Sequence, residues 1–228
     1  MQKLLEKLKG NNINSAIEQE NNDFQFKSLK KLYENIENRE IYLFLVMANA
    51  LVTYQLSGKG EAYWEEFSNY FSRIKKISED NIIKELQNFI KNSKNNRRLI
   101  DVKMQRLEKL HKFLDMFQNK KEFYYEDMEI LRDDLALLMN QALDAKTIVF
   151  AVKMFSYAAR NYFSKLVLFP YEIEIPIDSR LETIYEIYNS DKNIKIKEFY
   201  KTLSKQLNIP PLHLDAIIWC NYEELKKN

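Results

Sequence analysis

Two residues in this chain have the types and settings that amine chemistry needs. Lys146 opens the apolar run KTIVFAVKM, and Asp178 follows 32 residues (178 − 146) later, inside EIEIPIDSRL. The stretch LALLMNQALDAKTIVFAVKM reads as helix, short turn, helix, with the turn near residues 140–145 and Lys146 in the first turn of the second helix. The positive end of a helix dipole disfavours an ammonium, and burial beside Ile148, Val149 and Phe150 would do the same. A lysine so placed is expected to hold more neutral amine near neutral pH, as a nucleophile must. The plainer reading is an exposed, charged lysine at a helix start, and residue type alone favours it. Asp178 sits where an N-cap belongs, so its carboxylate is expected to accept from backbone N–H groups two and three residues on. Capping also orients the carboxylate, so the two roles are compatible.

A second constellation lies near the C-terminus, in PPLHLDAIIWC. Asp215 and Trp219 are four residues apart and share one helix face. An indole can stack on a flat heterocycle while the carboxylate accepts its N–H groups. A buried tryptophan beside a first-turn aspartate explains the same pattern. Lys153 lies seven residues past Lys146 on the same face, placed either to pair with a carboxylate near a site or to snorkel. SGKG at 57–60 lacks the GK[ST] ending of a phosphate-binding loop and reads as an interhelical loop before Trp64, which is expected to be buried. Residues 91–113 carry eight basic side chains against two acidic ones, a local excess of six. Phosphate contact is one reading and a solvated helix face the other. His111 and His213 have no partner near them in sequence.

The elements that must position these residues are helices. Glycine (3) and proline (4) are scarce, and hydrophobic residues reach 46%, so an all-α protein follows. Apolar periodicity predicts helices at 2–9, 27–37, 40–56, 60–74, 79–92, 97–117, 125–139, 146–163, 179–189, 196–206 and 211–226, with Asp80 capping the helix after it. Residues 166–178, LVLFPYEIEIPID, read as an extended connector. The net charge of +2 announces no nucleic acid by itself. One cysteine, Cys220, excludes an intramolecular disulfide or a four-cysteine iron–sulfur cluster, and with two histidines no metal centre is expected. MQKLLEKLKG has no uninterrupted apolar region and is not a secretory signal. The most apolar stretch, 41–56, falls short of the ~20 residues a membrane span needs. A cytoplasmic protein is expected.

Taken in order, KTIVFAVKM, IPID, PPLHLD…W and NALVTYQLSGKGEAYWEEF resemble the archaeal 8-oxoguanine DNA glycosylases called AGOG, of the helix-hairpin-helix glycosylase superfamily. The resemblance runs from about Asp23 to Trp219. It implies an all-α fold of two helical subdomains with the active site in the cleft between them, working as one functional unit. The hairpin subdomain is expected at about 70–178, and the other at about 1–69 plus 179–228. It further implies a bifunctional glycosylase and apurinic-site lyase without a cofactor, acting as a monomer on DNA carrying 8-oxoguanine, in duplex and also in single strands, near the nucleoid. Lys146 matches the family's nucleophile and Asp178 its catalytic aspartate. Gln25, Trp64, Phe150, Lys153, Asp215 and Trp219 match residues of the base pocket. Two departures stand out. The turn MNQALDAK has no glycine, and Pro176-Ile177-Asp178 replaces the superfamily's Gly-Pro-Asp loop. A non-catalytic helical DNA-binding protein is the alternative from another class, and a purely structural helical protein a third.

Overall fold

With so few chain breakers, apolar periodicity decides where helices form and polar runs decide where they stop. A computed structural model describes residues 1–227, and every regular element among them is a helix. In chain order these are α1 (Gln2–Leu8), α2 (Ile13–Asn22), α3 (Phe24–Asn35), α4 (Tyr42–Leu51), α5 (Gly60–Phe71), α6 (Ile82–Asn92) and α7 (Ile100–His111). There follow α8 (Leu114–Glu126), α9 (Met128–Met139), α10 (Lys146–Phe163), α11 (Ser179–Tyr188), α12 (Ile196–Leu207), α13 (Pro211–Cys220) and α14 (Tyr222–Leu225). None of the described helices is long and apolar enough to cross a membrane.

The chain divides into two compact units. One comprises Met1–Asp23 with Phe169–Asn228, and the other Phe24–Leu168. These cuts differ from those expected at about 70 and 178. Helices α3 to α5 pack with the hairpin helices: α4 lies along α10, and α3 packs on both α5 and α10. The reason is visible in α4, which is apolar on every side and buries all of YLFLVMANAL, so it must be surrounded. Beside it, Tyr63, Trp64, Phe67, Phe71 and Phe89 form a chain of ring contacts at 5.0–6.1 Å. The other unit closes on Leu4, Leu8, Leu181, Ile184, Phe199, Leu203, Ile217 and Ile218. Ile175 of the connector is buried in this core.

Several local expectations are corrected. Helix α2 lies where no helix is expected. Asn12 caps it, accepting from the Asn14 and Ser15 N–H groups, and the Ser15 hydroxyl accepts from Asn12 in return. Its sequence is so polar that only Ala16 and Glu20 are buried. The helix expected over 97–117 breaks after His111 and resumes at Leu114. That expected over 211–226 breaks at Asn221, and that over 40–56 ends at Leu51. Asp80 does not cap α6: Asn81 holds the cap position, and its side chain accepts from the Ser78 N–H at 2.9 Å instead. Pro211 does occupy the first position of α13, where its missing N–H costs nothing.

The α9–α10 hairpin turns without glycine because Asn140 adopts the left-handed conformation, at φ 51. The Gln141 N–H donates to Ala136 O at 2.9 Å and the Asn140 N–H to Leu137 O at 3.1 Å, the paired bonds of a Schellman C-cap. Gln141 then accepts from the Thr147 hydroxyl at 2.8 Å, tying the turn to the first turn of α10.

Candidate functional site

Helix α10 begins at Lys146, whose N-cap, Ala145, has no side chain to satisfy the first-turn N–H groups. Lys146 is exposed. It is therefore not enclosed by Ile148, Val149 and Phe150, contrary to the burial their apolar run suggested. Phe150, one turn on, is half-buried, and its ring lies 6.3 Å from that of Trp64 at 58°. Trp64 on α5 is fully buried, as expected, yet its indole N–H has no hydrogen-bond partner. Leaving such a donor unpaired costs about 1–3 kcal/mol. Gln25 on α3 is buried, and a Cβ placed on Gly60, the first residue of α5, would stand 4.0 Å from its Nε2. Lys153 is buried rather than snorkelling, with its ammonium 5.5 Å from the Tyr157 ring centroid. Within this unit, then, α5 and α10 bring Trp64 and Phe150 together, and Gln25 on α3 lies near the start of α5.

The basic stretch in the same unit is only partly a solvated face. Lys91, Lys94, Arg97, Arg98, Lys109 and Lys112 are exposed, but Lys103 is fully buried. Its ammonium donates to Asn96 and lies 4.8 Å from the Tyr54 ring centroid. Burial, with the Arg106 charge as a lesser cause, pushes it down to about 8. The loop before α7 is pinned by Glu66, which accepts from the Lys94 N–H at 2.7 Å and from Asn95 Nδ2 at 2.8 Å. Asn95 O in turn accepts from the Ser57 and Gly58 N–H groups at 2.9 and 3.1 Å. The SGKG segment is thus a structural loop, as expected.

In the other unit, Asp178 is the N-cap of α11. Its Oδ1 accepts from the Arg180 and Leu181 N–H groups, both at 3.0 Å. Asp215 is buried on α13, and Trp219, one turn later, is half-buried. Tyr200 lies within electrostatic reach of both carboxylates. Burial, and then the charges of Asp178 and Asp215, push its phenol far above the ordinary value. The hydroxyl stays protonated and donates to Leu181 O at 2.6 Å. Two aspartates from separate helices therefore act on one phenol.

Two participants of this unit were not legible in the sequence. His213 Nδ1 lies 2.6 Å from Glu20 Oε1, both side chains buried. The Phe169 N–H donates to His213 Nε2 at 3.1 Å, so Nδ1 carries the proton toward Glu20. One imidazole thus joins α2, α13 and the start of the connector to Asp178. Arg180 is the second: its guanidinium carbon lies 3.5 Å from the Trp219 ring centroid.

Comparison with known proteins decides the family. The model described as "AGOG: N-glycosylase/DNA lyase" matches residues 3–228. This chain belongs to that family. An N-glycosylase/DNA lyase of Thermococcus kodakarensis is 42% identical over 220 residues, covering 95% of this chain and 82% of its own. One from Methanococcus maripaludis is 43% identical over 199 residues, covering 86% and 77%. The crystal structure of an 8-oxoguanosine-complexed AGOG, the 8-oxoguanine DNA glycosylase of Pyrobaculum aerophilum, superposes with a TM-score of 0.84 at 22% identity, over 100% of this chain and 90% of that one. That likeness shows that the two chains share one all-α fold.

Proposed function

We propose that this AGOG-family chain excises 8-oxoguanine from DNA and then cleaves the abasic site it has made. The observation that carries this reading is an exposed amine at the first position of α10, one turn before Phe150, whose ring packs by a buried indole with an unused N–H. The names of its relatives, and the nucleoside held by the Pyrobaculum aerophilum protein, support the same chemistry.

A base stacked in a duplex is out of reach, so the damaged nucleotide must be flipped out. Phe150 and Trp219 supply stacking faces. Gln25 both donates and accepts, Asp215 accepts N–H groups, the Trp64 indole donates, and Lys153 matches a further residue of the family's site. Normal guanine lacks the N7 proton and the 8-oxo group. A pocket built around them leaves a buried polar atom unpaired when guanine enters, which discriminates strongly.

The amine of Lys146 attacks C1′ as the C1′–N9 bond breaks, and the base leaves with the bonding pair and takes up a proton. The Asp178 carboxylate stabilises the positive charge that grows on the sugar. Ring opening gives a Schiff base between Lys146 and C1′. Loss of a C2′ proton then expels the 3′ phosphate, and water releases the lysine. The uncapped N–H groups at the start of α10 suit a backbone phosphate. The whole chain serves as one functional unit, a monomer working on duplex DNA, with single strands as a second substrate form, in the cytoplasm beside the nucleoid.

The test is a duplex carrying a single 8-oxoguanine beside its unmodified twin. Free 8-oxoguanine and a β-elimination product are expected from the first alone. Equal binding to both duplexes with no scission would make this a non-catalytic DNA-binding protein.

A further inference from the structure

The mechanism above gives Arg180 no role. Arg180 is the second residue of α11, and its backbone N–H donates to the Asp178 carboxylate at 3.0 Å. Its side chain reaches α13 and α14, where the guanidinium carbon stands 3.5 Å from the Trp219 ring centroid and 5.4 Å from that of Tyr222. The first distance is that of a planar group in full stacking contact. A guanidinium at that spacing is held by the ring quadrupole and by dispersion across the whole indole. Lys226 adds a second cation near Tyr222, 5.8 Å from its ring centroid.

Trp219 is half-buried at the end of its helix, where an indole not held from behind can rotate. A stacking platform must present one face in a fixed plane, because rotamer freedom lost on binding subtracts from affinity. The guanidinium takes up one face of the indole, and the ring as a whole is only half-buried.

We propose that Arg180 is a positioning residue of the base pocket: it backs the indole of Trp219, so that a flipped purine stacks on the opposite face, and its backbone ties that platform to Asp178. This rests on Trp219 being the stacking face assigned above. The purine, the indole and the guanidinium then form a three-layer stack. One residue links base recognition to the carboxylate that serves the sugar.

The experiment uses 8-oxoguanosine, which carries no phosphate and so isolates the stack from backbone contacts. Affinity is measured for wild type, Arg180→Ala, Arg180→Met, Arg180→Lys and Trp219→Ala. Thermal melts identify any variant that fails to fold. Arg180→Ala and Arg180→Met are expected to bind about three- to tenfold more weakly, as befits a partly exposed cation–π pair. Arg180→Lys should recover part of that loss, because it keeps the charge and loses the plane. The salt dependence of lesion-duplex binding should not change. If Trp219→Ala loses the nucleoside while Arg180→Ala keeps it within twofold, the backing role is wrong and the stacking face stands. If Trp219→Ala also keeps it, the assignment of the face fails, and the proposal with it. A salt slope reduced by about one in Arg180→Ala, with nucleoside affinity intact, would identify Arg180 as a phosphate contact instead and overturn the stack.

Discussion

Asp178 is asked to do two things, and the structure allows them to be separated. As an N-cap it accepts from two backbone N–H groups at 3.0 Å through a single oxygen, Oδ1. Asp178→Ala removes both bonds and should cost about 1 kcal/mol, within a range of about 0.5–2. In a chain of this size that lowers the melting temperature by about 2–4 °C per kcal/mol. Asp178→Asn keeps an oxygen in the same place and loses only the favourable charge at the helix N-terminus, about 0.3–1 kcal/mol. Stability should therefore fall in the order wild type, Asn, Ala. Catalysis should not follow that order. If the carboxylate stabilises charge on the sugar, both variants lose it equally, and single-turnover cleavage of a lesion duplex should slow by at least about 10²-fold in each, roughly 2.7 kcal/mol of transition-state stabilisation. Asp178→Asn should still bind the lesion duplex. A turnover by Asp178→Asn within threefold of wild type would falsify the catalytic role and leave Asp178 as a cap alone.

Two further predictions concern the hairpin-bearing unit. Lys103 titrates near 8 in the folded chain and near its ordinary value, about 10.4, when unfolded. Between those values the unfolded state binds more protons, so stability rises with pH from about 8 to about 10, by at most about 1.4 kcal/mol per pH unit. Lys103→Met should abolish the rise, and denaturant midpoints of both proteins at pH 7 and pH 10 measure it; wild-type stability that is flat or falling relative to the variant contradicts the burial argument. A Cβ on Gly58 would meet Asn95 Oδ1 at 2.1 Å, and Asn95 is held in place by Glu66. Gly58→Ala should therefore cost about 1–3 kcal/mol, and an unchanged melting temperature would mean that the loop yields freely.

Much of the architecture was legible because it is local. Helix α10 has the bounds that periodicity predicts, 146–163, since its apolar positions repeat over 18 residues between polar flanks. The cap at Asp178 was legible for the same reason: it depends on the next three residues alone. What escaped is non-local. Helix α2 carries almost no apolar pattern, and its buried Glu20 makes sense only with His213, 193 positions away. Lys103 looked like one more solvated cation until the fold enclosed it. Arg180 was hidden because its partner lies on another helix, where no spacing rule connects the two. The units divide at other positions than those expected because α4, apolar on all sides, gives no sign in its own sequence of which helices enclose it.

The central claim is that Lys146 is the amine that bonds to the sugar. Borohydride reduction during reaction with an 8-oxoguanine duplex traps such an intermediate as a stable protein–DNA adduct. The wild-type protein should give that adduct and Lys146→Gln should give none. An equal adduct from Lys146→Gln, or none from the wild type while the strand is still cut, contradicts the claim.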